Sequence, residues 1–427
     1  MNTIEKYREF VNTAFVKAVE PIVVKEAAGA KITGEDGRTY TDFFAGISVV
    51  NAGHCNPEVL AAAQAQMAKL VHCCSYVYHV PVVADLAEKL AQITPGRLRK
   101  TFFGNGGAEA NEGAMRLAKQ FTGRQEFISL QGSFHGRSLA TLSITGNSAR
   151  KKGGGPYLTG CSFHPAPYCY RCPYKQSYPG CELACAKSLQ QSILYNTAGN
   201  VAAFIAEPVM GEGGIVTPPP EYFKEVKQVL DRHGILLFVD EVQSGFGRTG
   251  KMFAIEHFGV EPDIMTMAKG IADGFPLSGF IARPEVADSF RPGDHLSTFG
   301  GNPVSCAAAL ANIAYFEREK LCAQSLAKGA ALKAAMTELA RTQPLIGDVR
   351  GLGLMVGVEL VKDRATKAPA ADEAGRIKTL LRERGWLVGL GGTYGNVLRL
   401  QPPLVIGDAD LQGIVKAMDE CLRGIDH

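Results

Sequence analysis

The fold is decided by two nearby stretches: Leu237-Phe238-Val239-Asp240-Glu241-Val242-Gln243-Ser244-Gly245-Phe246-Gly247-Arg248-Thr249-Gly250 and Pro262-Asp263-Ile264-Met265-Thr266-Met267-Ala268-Lys269-Gly270. Each contains an apolar run that ends at a charged side chain, Asp240 in the first and Lys269 in the second. Such runs are typical of strands that are covered on both faces. The two stretches therefore predict neighbouring strands whose carboxyl ends offer a carboxylate and an amine to the same crevice.

Further apolar runs occur earlier in the chain, and stretches with helical spacing separate them. The predicted strands are residues 101–103, 127–130, 201–206, 235–239 and 264–268. Helices are predicted over 108–121 and 220–233, and the second opens with proline and closes before Gly234. Alternating strands and helices predict an α/β fold with a mainly parallel sheet flanked by helices.

The two ends of the chain have a different pattern. Strand-like pieces occur at 30–33 and 39–43, and a strand-like piece at 352–360 lies among helical stretches at 324–341, at 372–384 and from Asp408. We expect a smaller α+β domain built from both ends. The expected division is residues 1–50 as its N-terminal segment, 51–320 as the large domain and 321–427 as its C-terminal part.

The composition indicates a globular protein. Of the 427 residues, 46% are hydrophobic and 20% charged, and the net charge is only +3, which argues against disorder and against a nucleic-acid-coating surface. The first residues are charged, and no run approaches the roughly 18 apolar residues of a membrane span. We therefore expect a cytoplasmic protein with neither nucleic acid nor membrane as a partner.

The predicted strand 101–103 is followed by a glycine-rich turn that leads into a helix, Gly104-Asn105-Gly106-Gly107-Ala108-Glu109. Backbone N–H groups at such a turn can bind a phosphate, although a plain strand-to-helix turn is an equal alternative when the turn is considered alone. The dinucleotide fingerprint G-x-G-x-x-G fails at Glu109, which argues against a nucleotide-binding protein. A phosphate turn, an amine that forms a Schiff base (Lys269) and an acid for a pyridinium nitrogen (Asp240) are the parts needed to hold pyridoxal phosphate.

On these residues the sequence resembles the class III aminotransferases. Supporting pieces span nearly the whole chain: Ala45-Gly46-Ile47 with Gly53-His54, Ser133-Phe134-His135-Gly136-Arg137, Glu207-Pro208-Val209-Met210-Gly211-Glu212-Gly213-Gly214, Gly274-Phe275-Pro276-Leu277, Thr298-Phe299-Gly300-Gly301-Asn302-Pro303, and Gly395-Asn396-Val397-Leu398-Arg399. Within the class the chain most resembles the 4-aminobutyrate and related ω-amino acid aminotransferases. The resemblance implies fold type I of the pyridoxal-phosphate-dependent transferases. It also implies ping-pong transfer of an amino group from an ω-amino acid to a 2-oxo acid, 2-oxoglutarate or pyruvate.

The resemblance implies a cofactor-binding role for each matching residue. Lys269 would carry the cofactor as a Schiff base and then move the substrate proton, and Asp240 would keep the pyridine nitrogen protonated. The other implied contacts are Gly107 and Ala108 at the phosphate, Phe134 on one ring face with His135 in the same motif, Val242 on the opposite face, Gln243 near the ring hydroxyl, and Thr298 from a neighbouring subunit. Thr298 therefore implies a homodimer, alone or within a dimer of dimers, with active sites at the subunit interface. Relatives often have Ser or Thr at Ala108 and Tyr at Phe134, so two hydroxyl contacts are expected to be missing.

The implied substrate-binding residues are Ile47, Arg137, Glu207, Glu212 and Arg399. Arg137 matches an arginine that binds the distal carboxylate, and Arg399 matches one that binds the α-carboxylate, a task suited to its bidentate fork. Glu212 matches the acid that pairs with Arg399 when a substrate has no α-carboxylate. Class III also contains racemases and epimerases, and aminotransferases for ornithine, β-alanine or alanine and glyoxylate, which stay open as alternatives. The pairing of Arg399 with Glu212 favours transfer over racemisation.

An insertion from residue 160 to 186 holds five of the 11 cysteines. Four of them follow the pattern Cys169-x2-Cys172-x8-Cys181-x3-Cys185. This spacing is compatible with a zinc or iron–sulfur site, with one or two disulfides, or with buried thiols packed in a dimer-interface loop. The sequence leaves these three alternatives open.

Overall fold

The computed structural model describes residues 1–12 and 19–425. The strands are β1 Val24–Ala28, β2 Lys31–Gly34, β3 Thr39–Phe43, β4 Lys100–Gly104, β5 Glu126–Leu130, β6 Cys161–His164, β7 Val201–Ala206, β8 Leu236–Asp240, β9 Ile264–Met267, β10 Ser278–Ala282, β11 Ile346–Leu352, β12 Met355–Asp363, β13 Ala368–Pro369, β14 Trp386–Gly391 and β15 Val397–Leu400. The α-helices are α1 Thr3–Phe10, α2 Ala45–Ser48, α3 Pro57–Met67, α4 Pro81–Ile93, α5 Gly107–Thr122, α6 Leu139–Ile144, α7 Ala184–Lys187, α8 Leu189–Asn196, α9 Tyr222–His233, α10 Pro284–Ala287, α11 Pro303–Arg318, α12 Leu321–Thr342, α13 Ala371–Glu383 and α14 Asp408–Arg423.

A seven-stranded sheet in the order β4-β10-β9-β8-β7-β5-β6 forms the centre of the fold. Its strands run parallel except for β10, which is antiparallel to both of its neighbours. Every residue of β7, β8, β9 and β10 is buried, as expected for strands covered on both faces. The predicted α/β fold with a mainly parallel sheet is confirmed, but strand β6 and the antiparallel strand β10 were not predicted from the sequence.

The second sheet joins the two ends of the chain. Its order is β1-β2-β3-β14-β15-β12-β11, and β13 pairs with β12. The junction is the parallel pairing of β3 with β14, which sets Thr41 opposite Trp386. The strand-like piece expected at 352–360 is part of a hairpin, because Gly353 turns the chain at φ +53° between β11 and β12. The domain bounds at residues 50 and 320 remain a prediction.

Capping residues fix where three of the helices begin or end. The α5 helix ends at Gly123 and the α9 helix at Gly234, each in the left-handed conformation that glycine adopts without strain. The α11 helix begins after Asn302, whose side chain accepts the N–H groups of Val304 and Ser305. Within the described residues, no helix is long and apolar enough to cross a membrane.

Glu241 is an ionisable side chain in the core beneath the end of β8. It is 0% exposed, and its carboxylate accepts hydrogen bonds from the Ile255 N–H at 2.7 Å and the Ser244 hydroxyl at 2.5 Å. Burial raises the pKa of Glu241 from 4.5 to about 7. Because its folded-state pKa lies above the unfolded value, its contribution to stability is full at acid pH and is lost as the pH rises towards 7.

Replacing Glu241 with Gln removes this titration, so the stability of the variant relative to the native protein should rise with pH. We expect a relative gain of about 2 kcal/mol between pH 5 and pH 8, measured by urea unfolding at both values. The control is Glu35→Gln, which makes the same chemical change at an exposed position. A difference between Glu241→Gln and native protein that does not change with pH would contradict the expected titration.

Candidate active site

The ends of β8 and β9 bring Asp240 and Lys269 to one edge of the central sheet. Asp240 is the last residue of β8 and is 3% exposed, and Lys269 begins a short 3-10 helix, Lys269–Ile271, just after β9. The two strands are parallel, with Asp240 opposite Thr266. Lys269 has φ +46°, a left-handed conformation that costs free energy in residues other than glycine and is common at functional sites.

Asp240 is fixed by a buried hydrogen-bond network. Its Oδ2 accepts the Asn111 side-chain amide at 2.9 Å and lies 2.8 Å from His135 Nδ1. Asn111 also donates to the His135 carbonyl at 2.7 Å and accepts from the Thr266 hydroxyl at 2.8 Å. The Val242 N–H donates to the other carboxylate oxygen at 3.0 Å. The carboxylate therefore has a single fixed orientation at the mouth of β8.

Lys269 shares its surroundings with three carboxylates. Burial lowers the pKa of Lys269, while Glu212, Asp240 and Glu207 oppose this effect by favouring the charged amine. Glu207 follows β7 and accepts the N–H groups of Phe134 at 3.0 Å and Gly211 at 2.9 Å. Burial raises the pKa of Glu207 to about 7, because desolvation outweighs these hydrogen bonds. The crevice thus combines an amine of lowered basicity with a carboxyl group that titrates near neutrality.

The glycine turn after β4 opens directly into the first turn of α5. Gly106 precedes the helix, and no side chain caps its N-terminus. A Cβ atom on Gly107 would lie 2.8 Å from a Val242 methyl group, so only glycine allows this close approach of helix and loop. Glu109 folds back to accept the Asn105 N–H at 2.7 Å and the Ser297 hydroxyl at 2.5 Å. This uncapped helix start is suited to an anion.

A cluster of two arginines and one glutamate lies beside the amine. The Glu212 carboxylate lies 3.1 Å from Arg399 Nη1 and 2.8 Å from Arg150 Nη2. Burial alone would raise the pKa of Glu212, but Arg399 and Arg150 outweigh it and lower that pKa to about 2. Arg399 is 3% exposed and its guanidinium lies 5.1 Å from the centre of the Phe44 ring. The predicted neighbours Glu212 and Arg399 are therefore in contact.

The other predicted residues differ in their burial. Gln243 is buried and accepts a hydrogen bond from the Gln401 side chain at 3.0 Å. Ile47 is 39% exposed and lies in the single-turn element α2, whose four residues all have positive φ and are therefore left-handed. Arg137 is exposed, with its guanidinium 5.6 Å from the centre of the Phe134 ring. Thr298 is also exposed.

Three residues of the site were absent from the sequence analysis. Asn111 and Thr266 support Asp240, and Arg150 pairs with Glu212. Thr266 is a polar residue within an apolar strand, and Asn111 is a polar residue one turn inside α5. Each position therefore indicated a functional residue in the sequence, but only weakly. Arg150 gave no such indication, because it is followed by two further basic residues, Lys151 and Lys152, and contacts Glu212 only in the folded chain.

The cysteine insertion forms a separate feature. Its four patterned thiols line one small cavity, and the residues are Cys169, Cys172, Cys181 and Cys185. All 11 cysteines of the chain are free. Among residues 1–12 and 19–425, no group of three or more His, Cys, Asp or Glu side chains is arranged to hold a metal ion. Burial raises the pKa of Cys185 to about 12. Of the four, Cys185 is buried, Cys172 and Cys181 are partly buried, and Cys169 is exposed.

The residues present fit a cofactor that has both a phosphate and a pyridine ring. The uncapped start of α5 suits the phosphate, and the fixed Asp240 carboxylate suits a protonated ring nitrogen. Two buried nitrogens, His135 Nε2 and Arg399 Nε, have no hydrogen-bond partner, which is rare for buried polar atoms. Such orphaned atoms are expected in a site that binds polar groups.

Comparisons with known proteins agree with this geometry. A family model described as class III aminotransferase matches residues 14–422. A leucine/methionine racemase of Thermococcus litoralis is 40% identical over 99% of this chain and 96% of its own length. A 5-aminovalerate aminotransferase of Pseudomonas putida is 40% identical over 96% of this chain and 95% of its own.

A solved structure extends the similarity to the fold. The amine transaminase from an uncultivated Pseudomonas species, determined in its pyridoxal-phosphate-bound form, is 34% identical with a TM-score of 0.90. The match covers 96% of this chain and 97% of that one.

Proposed function

This chain belongs to the class III aminotransferase family, and from that premise we propose that it moves the amino group of an ω-amino acid, such as 4-aminobutyrate, to a 2-oxo acid. The family depends on pyridoxal phosphate, so pyridoxal phosphate is the cofactor of this chain. Amino acids and 2-oxo acids are its substrates. The choice of amino donor and acceptor and the role of each residue are parts of this proposal.

The cofactor, when bound, supplies the electron sink that lets a substrate lose a proton from the carbon that bears its amine. Lys269 would hold the cofactor through Nζ and would accept and return that proton as a general base and acid. Burial supports this role, because it lowers the pKa of the amine towards the working range. Asp240, held by Asn111 and His135, keeps the proton on the ring nitrogen.

The remaining residues would orient the two reactants. The N–H groups of Gly107 and Ala108 would bind the phosphate, while Phe134 and Val242 would pack on the two ring faces. The position of Val242 against Gly107 supports this arrangement. Thr298 would reach the phosphate of a partner subunit, and its exposure is compatible with that task. We therefore also propose a homodimer with composite active sites.

The contact between Arg399 and Glu212 is the observation that carries the choice of substrates. A ping-pong enzyme of this kind must accept one substrate with an α-carboxylate and one without. Glu212 neutralises Arg399 when the α-carboxylate is missing, as in 4-aminobutyrate. In the structure, Glu212 Oε1 lies 3.1 Å from Arg399 Nη1. The same arginine can then bind the α-carboxylate of glutamate or alanine. Similarity to a 5-aminovalerate aminotransferase supports an ω-amino acid donor.

Amino-acid racemisation is the second candidate, and the similarity to a leucine/methionine racemase favours it. A racemase would return the proton to Cα and would bind substrates that all carry an α-carboxylate. Such an enzyme has no need to neutralise Arg399 between substrates, so the Glu212 contact supports transfer. The two functions differ in their products: transfer converts the donor into an oxo compound, whereas racemisation inverts one amino acid.

A panel of donors and acceptors tests the proposed function. We expect 4-aminobutyrate or 5-aminovalerate with 2-oxoglutarate or pyruvate to give the highest rates, measured by chromatography of the amino products. Chiral analysis of leucine and methionine incubated alone should show no inversion. If inversion were faster than every transfer, the proposed function would be wrong and the second candidate would replace it.

Replacing Arg137 with Ala tests how the distal carboxylate is bound. We expect KM for 4-aminobutyrate to rise about tenfold or more, because a charged hydrogen bond contributes roughly 1.5–3 kcal/mol. A donor amine without a carboxylate, such as butylamine, should react at an unchanged rate and serves as the control. Unchanged kinetics with 4-aminobutyrate would show that Arg137 does not bind the distal carboxylate.

A further inference from the structure

Arg150 is a second arginine at the proposed substrate site, and none of the family motifs contains it. It lies in the 3-10 helix Ser148–Arg150, between β5 and β6, whereas Glu212 follows β7 and Arg399 lies in β15. Three separate parts of the fold therefore meet at one carboxylate. Arg399 contacts one oxygen of Glu212 and Arg150 contacts the other.

The contact with Arg150 is the better formed of the two. Arg150 Nη2 donates a hydrogen bond to Glu212 Oε2 at 2.8 Å. Arg399 Nη1 lies 3.1 Å from Oε1 but is not aligned for a hydrogen bond, and its Nη1 and Nε are buried without a partner. Arg399 is thus an ion-pair partner whose Nη1 and Nε donors are still available, while its Nη2 donates to the Leu390 carbonyl at 3.3 Å. Arg150 holds Glu212 in place.

This arrangement matters when a substrate with an α-carboxylate enters. On the proposed function, Arg399 must then leave Glu212 and bind the substrate. The side chain of Glu212 is only 13% exposed, and a buried carboxylate that loses its sole cation is strongly destabilised. Arg399 and Arg150 together lower the pKa of Glu212 to about 2, so Arg150 is the arginine that still favours the ionised carboxylate when Arg399 leaves.

We propose that Arg150 is the positioning residue that retains Glu212 when Arg399 binds an α-carboxylate, and so determines affinity for α-amino acids and 2-oxo acids. Its side chain is 36% exposed and its Nε is buried without a hydrogen-bond partner. Arg150 can therefore keep its ion pair with Glu212 while the ion pair between Arg399 and Glu212 breaks. Without Arg150, Glu212 would have Arg399 as its only arginine and would compete more strongly with the substrate carboxylate. The inference rests on the proposed roles of Arg399 and Glu212.

The test compares Arg150→Gln and Arg150→Lys with the native holoenzyme. The probe is 2-aminoisobutyrate, an α-amino acid without an α-proton, whose dissociation constant is read from the shift in cofactor absorbance. We expect Arg150→Gln to weaken this binding about tenfold or more, and Arg150→Lys to recover most of it because a cation is retained. In separate half-reactions, KM for 2-oxoglutarate should rise by a similar factor in Arg150→Gln, while KM for 4-aminobutyrate stays within about twofold.

The control is Lys152→Gln, which removes an exposed positive charge two residues away and should leave both constants unchanged. Equal weakening for substrates with and without an α-carboxylate would indicate a general structural role and overturn the inference, as would unchanged binding of 2-aminoisobutyrate. The donor panel is separate from this measurement. If native protein bound 2-aminoisobutyrate but failed to use ω-amino acids, the proposed function would fail, while the binding comparison would still decide the role of Arg150.

Discussion

Replacing Lys269 with Ala is expected to abolish turnover, with kcat lowered by more than about 10⁴-fold. The variant loses the covalent anchor of the cofactor and also the acid–base group, and general acid–base catalysis alone contributes roughly 10²–10⁴. Lys269 lies just after β9, within electrostatic reach of Asp240, Glu207 and Glu212, so its removal takes the amine out of this group of carboxylates. The measurement is the rate of each half-reaction after reconstitution with pyridoxal phosphate.

The covalent role has an independent readout. Native protein should be yellow, and borohydride reduction should fix the cofactor to the peptide that contains Lys269, as detected by mass spectrometry. Lys269→Ala should lose its colour on dialysis, whereas Lys416→Ala, which changes an exposed lysine on α14, should behave as the native protein does. Cofactor fixed to a different peptide of the native protein would show that the assignment of Lys269 is wrong.

Much of the central sheet could be predicted because its strands are apolar at almost every position. The runs at 201–206 and 235–239 differ from the observed β7 and β8 by at most one residue at each end. By contrast, β6 and β10 were absent from the sequence analysis. The run Ser278-Gly279-Phe280-Ile281-Ala282 is short and contains small residues, and its antiparallel direction depends on the loop that carries Lys269.

The residues of the candidate site that could be predicted are those that lie at the ends of buried strands. Asp240 and Lys269 could be located because each charge ends a buried run, and parallel strands present such ends at one edge. The partners that orient them could not be located in this way. Asn111 comes from α5 and Arg150 from a distant loop, and only tertiary packing brings them to the carboxylates of Asp240 and Glu212. Spacing along the chain contains no information on such contacts.

The network around Asp240 leads to a second prediction of large effect. Replacing Asp240 with Asn should lower kcat about 10²–10⁴-fold while the cofactor stays covalently bound. A neutral amide cannot stabilise a protonated pyridine nitrogen, so the ring accepts electrons less readily. The side chain of Asn is nearly the same size, and its single carbonyl oxygen can still accept one of the two hydrogen bonds that the carboxylate accepts from Asn111 and the Val242 N–H. The loss should therefore reflect charge and not packing.

Asp263→Asn is the matched control. Asp263 is also buried in the central sheet, but it lies before β9, where it accepts the Leu237 N–H and pairs with Arg283 at 3.0 Å. This change should lower the unfolding temperature without changing the rate per active site. Reconstituting Asp240→Asn with a cofactor methylated on its ring nitrogen should recover part of the lost rate, because the fixed positive charge no longer needs a carboxylate to hold a proton. If the methylated cofactor brought no recovery and Asp263→Asn lost as much activity, Asp240 would be a structural residue, and its network with His135 and Asn111 would serve the fold alone.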